Sequence, residues 1–129
     1  MHQNKLFVLL PMIIFVGVAV AGIKPPKERN LKVLPKDISD QKLDSIMESY
    51  NIALGQKCNF CHVPFDKKFP DSLDYASDKD PMKEEARKMM RMTIEINKTN
   101  FYLEKNIRPE YLNTVNCMTC HRGQPFPEH

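Results

Sequence analysis

Cysteine and histidine are scarce in this chain, and their placement is narrow. There are four cysteines in 129 residues, and none lies outside two pentapeptides, Cys58-Asn59-Phe60-Cys61-His62 and Cys117-Met118-Thr119-Cys120-His121. Of the four histidines, only His2 and His129 fall elsewhere. No stretch shows the alternating pattern of a strand, which removes the βαβ setting that a thioredoxin-like Cys-x-x-Cys pair requires. The formal charge of +3 is too small to suggest a nucleic-acid partner. No cysteine lies near residue 21, which excludes a bacterial lipid anchor.

What remains is Cys-x-x-Cys-His, twice. The pattern is that of covalent haem c attachment. Residues three apart share a face of a helical turn, so both thiols of a pair reach the two vinyl groups of one macrocycle. The histidine that follows supplies the proximal iron ligand. The cofactor expectation is therefore two haem c groups, through thioethers at Cys58, Cys61, Cys117 and Cys120 and iron ligation by His62 and His121. A four-cysteine zinc site fits poorly. The pairs are separated by 55 residues, where zinc ribbons have roughly 15–20, and zinc leaves both trailing histidines unexplained. A disulfide framework has no use for them either.

The domain organisation reads in three parts. Residues 1–21 form a signal peptide, with Lys5 as the positive start and Ala19-Val20-Ala21 as a small-x-small cleavage site. The alternative is an uncleaved anchor through the 17 uncharged residues 6–22, short against the roughly 20 that span a bilayer. Either places the protein in the periplasm, free or membrane-anchored. Residues 22–38 are an extended leader, kept from helix by Pro25, Pro26 and Pro35, with Leu31, Val33 and Leu34 tacking its end down. Residues 39–129 are the di-haem domain. Cleavage leaves 108 residues, enough for one domain with a thin apolar core, so the fold depends on its haems.

Two helices stand out. The first covers residues 39–54, capped by Ser39 or Asp37, apolar at Leu43, Ile46, Met47, Tyr50, Ala53 and Leu54, and stopped by Gly55. The second starts at Asp80-Pro81 and fades over residues 97–100. Met82, Ala86, Met89, Thr93 and Ile96 make its apolar stripe, with Met90 and Met92 alongside. Glu84 with Lys88 and Arg91 with Glu95 make outer-face pairs. A short helix over residues 108–112 precedes the second motif, and residues 63–80 are loop. The fold class is all-α: two units of helix, turn and haem motif, with little or no sheet.

Axial chemistry follows by elimination. With His62 and His121 committed and His2 in the leader, only His129 could give one haem a second histidine, and methionine is the other common sixth ligand. Met1 and Met12 lie in the leader and Met118 on the wrong face of its loop. Met47 is left for one iron, and Met82, Met89, Met90 or Met92 for the other.

These residues carry a resemblance. Ala53-Leu-Gly-Gln-Lys-Cys-Asn-Phe-Cys-His62, with Met47 upstream, is similar to repeats of the cytochrome c subunit of photosynthetic reaction centres. So is Ala86-Arg-Lys-Met-Met-Arg-Met-Thr-Ile-Glu-Ile-Asn97 followed by Cys117-Met-Thr-Cys-His-Arg-Gly123. The family subunit carries four haems, whereas this chain has two motifs. The resemblance implies a repeat in which a helix donates a distal methionine, a turn follows, and a second short helix carries the haem motif. It places the distal ligands at Met47 and Met89.

The function expected is one-electron transport between a quinol-oxidising membrane complex, other cytochromes or a terminal oxidase. Lys57, Lys67 and Lys68 are candidate docking charges. A haem enzyme such as a di-haem peroxidase, or a gas or redox sensor, needs a labile sixth position. No spare histidine lies near either motif to serve a peroxidase, and the sensor lacks an output domain.

Overall fold

The computed structural model describes residues 29–103 and 105–127. The expected signal peptide or anchor, His2, Met1, Met12 and His129 lie outside them. Three α-helices carry the described chain: α1 at Asp40–Leu54, α2 at Pro81–Asn100 and α3 at Cys117–His121. Two-residue strands β1 (Val63–Pro64) and β2 (Leu73–Asp74) pair antiparallel, Val63 opposite Asp74. This small hairpin is the only regular structure in the segment expected to be loop.

The local signals act where they stand. The Ser39 hydroxyl accepts a hydrogen bond from the Lys42 N–H at 3.2 Å, and Gly55 ends α1 at φ 61°. In α2 the Asp80 carboxylate accepts from the Met82 N–H at 2.9 Å, ahead of Pro81 in the first turn. The short helix before the second motif is a single 3-10 turn, Pro109–Tyr111.

The buried apolar core is small. Among the described residues it consists of Leu34, Ile38, Ala53 and Met90. Leu31, Val33, Leu43, Ile46, Met47, Tyr50 and Tyr111 pack around the Leu34–Ile38–Met90 cluster without being fully covered. The leader thus joins the domain from Leu31 onward, and Ile38 is a core residue in its own right.

Helix α2 presents an unexpected face to the protein. The residues it buries most are Lys83, Arg87, Met90 and Asn97. Met89 stays 41% exposed and Met92 46%. The apolar stripe read from the sequence therefore flanks the buried face instead of forming it. The buried cations are matched by non-local partners. Asp78 pairs with Lys32, Lys83 and Arg87, Arg87 donates to the Asn30 carbonyl at 3.1 Å, and Lys83 donates to the carbonyls of Tyr75 and Ser77. Along α2 the ion pairs take another register than the one expected. Glu84 holds Arg87 and Arg91, and Lys88 holds Glu85.

Candidate haem-binding sites

The first motif begins as a 3-10 turn, Cys58–Phe60. The Cys61 and His62 N–H groups both donate to the Cys58 carbonyl, at 3.3 and 3.1 Å. These bonds close one turn of helix across the motif. The second motif is the full turn α3, started by a capping box between Asn116 and Thr119 and ended at Arg122 in the left-handed region, φ 50°. No disulfide joins any of the four cysteines. Among the described residues no three His, Cys, Asp or Glu side chains are grouped around one point.

The two histidines are held differently. The Nδ1 of His121 lies 2.9 Å from the Gln124 carbonyl oxygen. A carbonyl only accepts, so Nδ1 carries the hydrogen and Nε2 keeps the lone pair that a metal takes. His62 instead packs its ring edge-on against Tyr75, with centroids 5.0 Å apart. Its buried Nδ1 has no hydrogen-bond partner. Burial, with Lys83 nearby, holds the imidazole below its ordinary range, which favours the neutral, ligating form. Burial also pushes the Cys61 and Cys117 thiols up.

Each motif has its own surroundings. Around Cys61 and His62 stand the charged groups of Asp74, Asp80, Lys83 and Arg87. From α1 the Asn51 amide reaches Cys58 Sγ at 3.6 Å. The second motif lies against α1 and α2. Cys117 opens onto a cleft of about 210 Å³ whose walls include Ile46 and Tyr50 of α1, Met90 and Thr93 of α2, and the loop through Val115. Burial holds the Tyr50 hydroxyl far above the usual phenol range.

The motifs are joined at their tails. The Gly123 N–H donates to the Ala53 carbonyl at 2.8 Å. The rings of Phe60, inside the first motif, and Phe126, just after the second, meet edge-on with centroids 6.5 Å apart. The two attachment segments are therefore neighbours in space.

Residues 24–129 match the model of the family described as photosynthetic reaction centre cytochrome C subunit. The chain belongs to that family. No curated protein matches it and no solved structure does. Membership makes it a cytochrome with haem c as cofactor and electron transfer as its role.

The residues present fit that cofactor. The ring nitrogens of His121 and His62 are available as described, and neither thiol pair is sealed inside the protein. Met89 and Met92 are exposed among the described residues and put apolar surface on one side of α2. Met47 sits half-buried on α1 against the core cluster, whereas Met90 is fully part of that cluster and lines the cleft beside Cys117. Three site-shaping residues escape a local reading of the sequence: Lys83 and Arg87 beside the first motif, and Asn97, which grips the loop before the second. Their partners lie on distant segments, and no periodicity marks a buried cation or amide.

Proposed function

We propose that this cytochrome is a single-electron carrier with two covalently attached haem c groups. Cys58 and Cys61 hold one and Cys117 and Cys120 the other, with His62 and His121 as proximal ligands. Met47 and Met89 are the distal ligands. The observation that carries this reading is the pair of adjacent Cys-x-x-Cys-His turns, one with its histidine oriented through Nδ1 by the Gln124 carbonyl. Bound haem supplies reversible Fe(III)/Fe(II) chemistry. The chain's own part is to fix position and environment. A backbone carbonyl orients one imidazole, and methionine as sixth ligand raises the potential and closes the iron to substrates. The contacts of Gly123 with Ala53 and of Phe60 with Phe126 support electron passage between the two sites.

The uncharged run at residues 6–22 supports export to the periplasm, with or without retention at the membrane. Membrane quinol-oxidising complexes, other cytochromes and terminal oxidases are the electron partners. Native mass spectrometry with absorption and EPR spectra of the ferric protein tests the reading. Two haem masses, two low-spin signals and the methionine–iron charge-transfer band are expected. One haem mass, or a stable high-spin population at neutral pH, overturns it.

A further inference from the structure

Asn97 is the least exposed polar residue described, at 1% of its surface. Its side chain makes three hydrogen bonds, all to one distant loop. Nδ2 donates to the Leu112 carbonyl at 3.1 Å and to the Val115 carbonyl at 2.7 Å. Oδ1 accepts from the Val115 N–H at 2.8 Å. Both amide hydrogens and the oxygen are thus engaged, 15 to 18 residues along the chain. A buried amide left unpaired is disfavoured, so this register of loop against helix is preferred to its neighbours.

The position of this clasp matters. Asn97 lies on α2, two turns past Met89, and Val115 is two residues before Cys117. The return loop between them has only the 3-10 turn Pro109–Tyr111 as regular structure among its described residues. Without the clasp, α3 keeps its tie to α1 through Gly123 and Ala53 and its packing on α2, and loses the hydrogen bonds that fix its register there.

We propose that Asn97 is a positioning residue for the second haem site. It sets the distance and rotation of the Cys117–His121 helix relative to the methionine-bearing helix, so that a histidine and a methionine can share one iron. The proposal rests on the two-haem reading above. It predicts an asymmetric effect, because the first motif and Met47 lie outside the clasp.

The test uses the haem-loaded protein with Asn97→Ala and Asn97→Asp. The second variant keeps the size and the acceptor for Val115 N–H and removes the donors, leaving a carboxylate against two carbonyls; hydrogen exchange in the wild type keeps the proposal falsifiable where a variant fails to fold. In both, the thioethers keep two haems on the chain. The methionine–iron band should fall by up to half per protein. One of two waves in a redox titration should move to lower potential while the other stays. In the wild type, the Val115 amide should exchange with solvent more slowly than its loop neighbours. Folded variants with the full band and both waves unmoved overturn the proposal, as do equal shifts of both waves. If neither variant folds, rapid exchange at Val115 in the wild type overturns it and protection supports it. A wild-type mass with one haem instead overturns the two-haem reading, and the proposal with it.

Discussion

The backbone of Gly55 runs against that of Gly123, so closely that a Cβ on Gly55 would collide with the Gly123 carbonyl oxygen. Gly55 stands three residues before Cys58, and Gly123 two after His121. The stop of α1 and the end of the second motif are thereby the same place in the fold. Close approach needs the missing side chain, and the left-handed φ of 61° needs it again.

Gly55→Ala should therefore be far more damaging than Gly123→Ala. The first combines a left-handed strain of about 1–2 kcal/mol with a backbone clash of about 1–3 kcal/mol. The second, at φ 89° with nothing within 4 Å of the added carbon, carries the strain alone. Thermal unfolding of the haem-loaded variants ranks them. Equal losses would mean that the glycine contact does not join the two motifs.

Met89 and Met90 are adjacent and should separate cleanly by experiment. Met90 is 9% exposed in the cluster with Leu34 and Ile38, whereas Met89 is 41% exposed. Met90→Ala should cost about 2–5 kcal/mol of stability through the cavity it leaves, with the methionine–iron band intact. Met89→Ala should remove about half of that band, with little loss of packing. The reverse pattern would assign the ligand to Met90.

Much of this architecture is legible residue by residue. Ser39, Gly55, Asp80 and Pro81 act within one turn of where they stand, and such short-range chemistry survives any tertiary context. The face that α2 buries is not legible. Met82, Met89 and Ile96 form the obvious apolar stripe, yet Lys83, Arg87 and Asn97 go inside because Asp78, Asn30 and the 112–115 loop wait there with matching groups. Periodicity assumes that a protein surface covers the apolar side, and here the expected cover is a cofactor. The meeting of Gly55 with Gly123 is invisible for another reason, since two glycines far apart in sequence carry no mark of their pairing.

Asp78 should give a defined acid response. Hydrogen bonds from Lys32, then Arg87 and Asn30, hold its carboxyl well below the usual range. A depressed folded value contributes stability that is fully present above the unfolded value near 4 and is lost as pH falls towards the folded one. Asp78→Asn should cost about 1–2 kcal/mol at neutral pH, discounted for the partial exposure of the carboxylate. The difference from wild type should stay flat from about pH 8 to 5 and narrow only below about 4. Unfolding curves across that range check it, and a gap that closes above pH 5 would deny the ion cluster this role.

The last expectation concerns the chain without its cofactor. Among the described residues four apolar side chains are buried, while eleven large hydrophobic ones are exposed, Met89, Met92, Met118 and Ile52 among them. A domain of this size is marginal even with a full core, and here four positions hold the helices together. The polar ties at Asn97 and Asp78 are specific, yet ties of about 1–2 kcal/mol each do not replace an apolar core. Haem-free protein, made by replacing all four cysteines with alanine, should retain some helix by circular dichroism, bind an apolar dye and melt without a cooperative transition. Haem-loaded protein should melt sharply. A cooperative transition in the haem-free chain at a comparable temperature would show that the protein core alone carries the fold, and would remove the reason for leaving the methionine face of α2 uncovered.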